Sequence, residues 1–290
     1  SAKTTLLAAM STITGQLSPP RRVKKESMEK KFEPVLIAIE RLVTRHPTLV
    51  PQIKKILTNS QTENAKRVPT LGGSNDEISS SAEIFTKIYA DGVWGAPSRA
   101  GDSFFSGRGS HEKNIVYPYI AAIRAFLSSF DAAPSVLDVG CGDFNIGSKL
   151  RSLFSTYIAC DIVERLITDN KKKYHHLDVD FMLLDCVECK IPKVDIVLAR
   201  QVLQHLSNIQ IAKFIRNLEK SCRYLIITEH LPQGQFVPNH DKATGPGIRL
   251  DDNSGVVLTA PPFNLQPSSE WRLCATPIGN SMIETIVYEL

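Results

Sequence analysis

Between Ser135 and Leu150 the chain reads SVLDVGCGDFNIGSKL: a short apolar run with Asp138 inside it, glycines one residue apart at Gly140 and Gly142, a further acid at Asp143 and a third glycine at Gly147. Glycines so spaced after a strand let the chain turn tightly and let ligand atoms approach the backbone. A dinucleotide turn of the G-x-G-x-x-G kind needs its third glycine at residue 145, which is Asn145 here. The flanking acids suit a cationic ammonium or sulfonium group better than a pyrophosphate. Two more acids follow in register. Asp161, followed by Ile162, ends the run YIACDI about twenty residues on, where a carboxylate can accept both hydroxyls of a ribose. Asp185 closes FMLLDC, within reach of an adenine's exocyclic amine, with Cys186 donating from its backbone. Ribose, adenine and a positively charged amino-acid end describe S-adenosylmethionine. The expected cofactor set is therefore Asp138, Gly140, Gly142, Asp143, Phe144, Asn145, Asp161, Ile162, Asp185 and Cys186.

Methyl transfer from such a cofactor to a hydroxyl or amine is an in-line displacement, helped by alignment and by a base that removes the acceptor's proton. The bases on offer are Glu229 and His230 at the end of YLIITEH, with His240 and Asp241 in the loop beyond. His230 or His240 is favoured, because an imidazole is tunable near neutral pH. Arg200 and Gln201 open the loop after the fourth apolar run, where the chemistry is expected: Arg200 is a further catalytic candidate, and the other reading is that both hold the cofactor or brace the loop. His205 lines the same pocket or packs behind it. The segment SFFSGRGSHEK, with Trp94 upstream, reads as a lid: Arg108 is expected on the cofactor's carboxylate and Trp94 over substrate or cofactor. An ordinary surface loop is the other reading. APPFNL, with Pro261 to Phe263 after the fifth run, reads as a rigid turn in the pocket wall. No metal set is expected, because the one C-x-x-C, Cys186 to Cys189, lacks a second pair or a nearby histidine pair.

Seven strand-like runs must position these residues: SVLDVG, TYIACDI, FMLLD, VDIVLAR, YLIITEH, WRLCATPI and ETIVYEL. Helical or loop segments separate the first five in the manner of βα units, so a parallel sheet covered on both faces is expected. No helix separates the last two, which predicts an antiparallel hairpin at the sheet edge. SAEIFTKIYADGVWG starts as a helix capped by Ser81, and HEKNIVYPYIAAIRAFLSSF is a longer helix.

From about Ser81 to the C-terminus the sequence resembles the class I S-adenosylmethionine-dependent methyltransferases, whose LDVGCG motif it carries unaltered at Leu137 to Gly142. It looks similar to a group of largely uncharacterised bacterial methyltransferases through IYADGVWG, SGRGS, LDVGCGDFNIG, ACDIVERLI, RQVLQHLSN, LIITEHLP and APPFNL. The resemblance implies a Rossmann-like α/β fold with a seven-stranded, mostly parallel sheet, the cofactor S-adenosyl-L-methionine and the reaction class. It supplies no acceptor.

The rest of the chain is a basic extension. Residues 1–67 hold 13 Lys and Arg against 5 Glu, a net +8, whereas the remainder holds 21 basic and 25 acidic residues, a net −4. Residues 1–26 read as a flexible basic arm, 27–67 as a helical hairpin, 68–80 as a linker and 81–290 as the methyltransferase domain. No run approaches the roughly 18 apolar residues of a membrane span. With no secretory signal and six scattered cysteines, a soluble cytoplasmic protein is expected. Three functions stay open: methyl transfer to a small hydroxylated or glycan-like acceptor, most simply at oxygen; methylation of RNA or protein using basic residues 1–67; and a non-catalytic methyltransferase-like module that binds a partner. The oligomeric state is not legible.

Overall fold

A computed structural model describes residues 80–97, 102–218 and 220–290. The arm, the helical hairpin and all but the last residue of the linker lie outside the described residues. Helix α1 (Ser81–Ala90) starts one residue earlier than its sequence suggests: Ser80 is the N-cap, its hydroxyl accepting from the Glu83 N–H while the Glu83 carboxylate accepts from the Ser80 N–H. This reciprocal capping box needs Glu three residues past the cap, which only Ser80 provides. Helix α2 (Lys113–Leu127) buries Ile115, Val116, Tyr119, Ile123 and Leu127 at helical spacing.

Five parallel strands follow: β1 (Val136–Val139), β2 (Tyr157–Asp161), β3 (Asp180–Leu183), β4 (Ile196–Arg200) and β5 (Tyr224–Pro232). Between them lie α3 (Gly147–Leu150), α4 (Glu164–Lys173) and α5 (Asn208–Asn217). Strands β6 (Ser269–Ile278) and β7 (Ser281–Glu289) form the expected antiparallel hairpin, joined by Gly279 and Asn280 with Gly279 at φ +56°. The hairpin enters the sheet with β7 against β5, giving the order β3-β2-β1-β4-β5-β7-β6. The strand order reverses between β1 and β4, and in open α/β sheets the ligand crevice opens at the carboxyl ends of such a pair.

Two apolar layers cover the sheet. Leu137, Val139, Val197, Ala199, Leu225 and Ile227 pack into one with α1 and α5. Val136, Ile196, Leu198 and Ile226 pack into the other with α2. Because successive strand side chains alternate between faces, this membership fixes where each polar residue at a strand end points. Asp138 must share the face of Val136, and Glu229 the face of Leu225 and Ile227, with His230 on the opposite side. Among the described residues no helix is long and apolar enough to cross a membrane.

Candidate active site

A cavity of about 450 Å³ opens at the carboxyl ends of β1 and β4. Its floor is the turn after β1, where Gly140 has φ +65° and Gly142 φ +56°, a conformation that L side chains adopt only under strain. A Cβ at Gly140 would lie 2.6 Å from Val202 Cγ2, and one at Gly142 2.3 Å from Ser106 Oγ, so both positions are closed to any side chain. From α4, Asn170 Nδ2 donates to the Gly142 carbonyl at 2.7 Å and holds the turn down. Gly147 admits the Phe144 ring instead of a ligand.

Asp161 stands on the cavity wall at the end of β2, its two carboxylate oxygens accepting from the N–H groups of Gly142 (3.2 Å) and Val163 (3.1 Å). Burial pushes its carboxyl up to about 6 against those donors. Ile162, Asp185 and Cys186 complete this end, with Asp185 Oδ1 accepting from Val187 N at 2.8 Å. Gly140, Gly142, Asp161, Ile162, Asp185 and Cys186 are thus brought together.

Four other residues of the expected cofactor set face elsewhere. Asp138, on the α2 face of β1, accepts from the Tyr157 hydroxyl at 2.9 Å, and burial pushes its carboxyl up to about 7. Phe144 is wholly buried, edge-on to Tyr157, Tyr174 and Phe181. Asp143 fastens the loop before α2: Oδ2 accepts from Ser106 N (2.9 Å) and lies 2.6 Å from His111 Nε2, while Asp143 N donates to Ser106 Oγ (2.7 Å). Phe105 stacks on His111 with ring centres 4.4 Å apart. Asn145 helps by donating to the Ser110 carbonyl at 2.6 Å. These two residues hold the loop that lines one side of the cavity.

That loop brings Ser106, Gly107, Gly109 and Ser110 to the cavity wall. Arg108 does not follow them. Its side chain is 83% exposed and pairs with Glu112 one helical turn on, outside the residues that line the cavity. The cation on the wall is Arg200, which donates to Gly109 O (2.7 Å) and Gln201 Oε1 (3.0 Å), lies over the Tyr119 ring at 5.0 Å, and leaves its buried Nε without a partner. Gln201, at φ +56°, stands beside it. Trp94 and His205, both expected at the pocket, line the same cavity with their rings 5.0 Å apart, and Phe85 and Tyr89 of α1, which motif reading missed, extend them into an aromatic wall. The signal was available as apolar residues on the cavity side of α1. Both His205 nitrogens are engaged, Nδ1 with Gly245 O and Nε2 with Gln204 Nε2, and burial holds its imidazole down to about 4.

Of the expected bases, only His230 reaches the cavity. Glu229, on the opposite face of β5, accepts from the N–H groups of Leu203 (3.1 Å) and Gln204 (2.9 Å). Burial pushes its carboxyl up to about 8, while the donors and Arg249 pull it down. Arg249, 1% exposed, donates to the carbonyls of His240, Leu203, Gln204 and Leu206 and to Asn208 Oδ1. Together they tie the segment after β4 to the loop after β5, which contributes Pro246, Gly247, Ile248 and Asp251 to the wall. His240 and Asp241 are exposed, and Asp241 accepts from Asn208 N at 2.7 Å at the start of α5. The Pro261–Phe263 turn also lies off the cavity wall, pinned by Asn239 Nδ2 to Pro261 O. Among the described residues no group of three or more His, Cys, Asp or Glu could hold a metal ion.

Comparison with known proteins adds a family. Residues 136–224 match the family described as a methyltransferase domain. A search of curated proteins finds no match. Solved structures with a similar arrangement include the N-methyltransferase NodS from Bradyrhizobium japonicum with S-adenosyl-L-homocysteine, at 14% identity over 63% of this chain and 90% of that one, with a TM-score of 0.48. Magnesium protoporphyrin IX methyltransferase from Synechocystis, with bound S-adenosylmethionine, is 17% identical over 74% of this chain and 100% of that one, with a TM-score of 0.46. The matched segment runs from β1 to the first residue of β5 and holds the LDVGCG strand and the glycine turn that floors the cavity, so this part of the chain is similar to a methyltransferase domain.

Proposed function

We propose that the protein methylates an oxygen of a small hydroxylated or glycan-like acceptor, with His230 as the general base. The observation that carries this reading is the place of His230: of the four proposed bases it alone lines the cavity, and burial lowers its pKa, so that it is a neutral proton acceptor at physiological pH. The cavity's size supports a small acceptor, since about 450 Å³ lies low in the range of roughly 300–1,000 Å³ typical of small-molecule sites, and the cofactor itself claims a large part.

The residues on the wall fit the cofactor. The side-chain-free Gly140–Gly142 turn admits close approach, and the Asp161 carboxylate retains lone pairs for ribose hydroxyls beyond its two backbone bonds. Asp185 and Cys186 would receive the adenine edge, and Arg200, with its unpartnered Nε, the amino-acid carboxylate. Bound there, S-adenosylmethionine supplies an electrophilic methyl group. The loop fastened by Asp143 and the aromatic residues wall the cavity around it, and His230 takes the hydroxyl proton on a ring nitrogen.

Incubation with methyl-labelled S-adenosylmethionine and fractionated cell extract tests this, with Asp161→Asn as control. Label in the polysaccharide or small-molecule fraction, lost in the variant, is expected. Label confined to RNA or protein overturns the acceptor class and favours a role for the +8 charge of residues 1–67.

A further inference from the structure

We infer that Ser281 is a positioning residue that fixes which nitrogen of His230 is free to accept a proton. The inference rests on the reading of His230 as base and adds what sets its state. In the antiparallel β5–β7 pair, His230 lies opposite Ile283 and Pro232 opposite Ser281. His230 and Ser281 are therefore diagonal neighbours on one face, within side-chain reach. The Ser281 hydroxyl donates to the Ile278 carbonyl at 2.8 Å, across the two-residue turn that joins β6 to β7.

A serine hydroxyl has a single proton. Because that proton is committed to Ile278 O, the 2.7 Å contact between Ser281 Oγ and His230 Nε2 has one consistent polarity: Nε2–H donates and Oγ accepts. The imidazole then carries its proton on Nε2, and Nδ1 keeps its lone pair. Among the described residues nothing bonds to Nδ1, while the ring lines the cavity. The backbone is held as well, with His230 N donating to Gln204 Oε1 at 3.2 Å. The relay from Ile278 O through Ser281 to His230 does for this imidazole what a carboxylate does in other acid–base sites, orienting the ring and selecting the tautomer. It leaves the net charge at the methyl-transfer end unchanged.

Imidazole 15N spectra of the full chain, with the His230 signal assigned by its loss in His230→Gln, read the tautomer without any turnover. The wild type is expected to hold a single Nε2–H form, Ser281→Ala to populate both tautomers, and Ser281→Thr, which keeps the hydroxyl, to match the wild type. In transfer assays Ser281→Ala should lower kcat roughly tenfold at unchanged KM, with Thr restoring it, the pattern expected when orientation but not binding is lost. A wild-type Nδ1–H tautomer, or a Ser281→Ala protein with unchanged spectrum and kcat, overturns the inference. If His230→Gln turns over like the wild type, the assignment of the base fails, whereas the spectra still decide the tautomer.

Discussion

Glu229→Gln separates a structural carboxyl from a catalytic one through the pH dependence of stability. The Glu229 carboxyl lies near 8 in the folded chain against an ordinary 4.5. A folded value above the unfolded one means that the carboxyl's contribution to stability is complete below 4.5 and is lost as pH rises through 8. At 1.36 kcal/mol per unit, the shift of about 3.5 units corresponds to about 5 kcal/mol lost by the wild type across that window. Gln cannot ionise, so the variant escapes this loss. It pays elsewhere: the amide presents one oxygen and one NH2 where the carboxyl presented two acceptors, so one of the Leu203 and Gln204 N–H groups is left facing a donor, costing about 1–3 kcal/mol. The variant should therefore be less stable than the wild type near pH 4.5 and more stable by about 2–4 kcal/mol at pH 8.5. Urea denaturation of both proteins across that range measures the difference, in which the titration of all other groups cancels. A constant difference at every pH would refute the reasoning, because it would mean that Glu229 does not change its protonation on folding.

Two further substitutions test the cavity's construction. Gly142→Ala forces an L side chain to φ +56° and places its Cβ against Ser106 Oγ, breaking the bond from Asp143 N; about 2–3 kcal/mol of stability and at least about tenfold in cofactor affinity should be lost, as read by thermal unfolding and calorimetric titration. Arg108→Ala removes only a surface pair with Glu112, so calorimetry should give a cofactor affinity within about twofold of the wild type, or about 0.4 kcal/mol. A larger loss would return Arg108 to the site.

The strands and their order of use were legible because each is a short apolar run bounded by turn residues, and because the last pair is separated by too few residues for a crossover. The ligand-facing ends of β1, β2 and β3 were legible for the same reason: in an open α/β sheet the carboxyl ends of the strands meet at the crevice. What could not be read was the face to which each strand-end residue turns. An exposed sheet announces its faces by alternating apolar and polar residues, but a sheet buried on both sides has apolar residues on both. Nothing in VLDV or YLIITEH states whether Asp138 or Glu229 points to the cavity. The answer depends on which layer claims Val136 and Leu225, and those layers are built by α1, α2 and α5, distant in sequence. His240 and Arg108 escaped for a different reason. Each sits in a loop whose course is set by side chains elsewhere, Arg249 and Ser254 for the first, Asp143 and Asn145 for the second.

The acids of this site divide by what their oxygens already hold. Glu229 and Asp143 lie off the cavity and spend their acceptors on backbone N–H groups of segments that wall it, so they act on a ligand only through the position of Gln204 or Ser106. Asp161 also binds two backbone N–H groups, yet it stands on the wall with lone pairs to spare, so the bonds that aim its carboxylate leave it able to receive a ligand. An acid count in the motif therefore overstates the negative charge presented to the cofactor. The acids that remain on the wall are Asp161, Asp185 and Asp251, and the glycine turn contributes shape and backbone rather than charge.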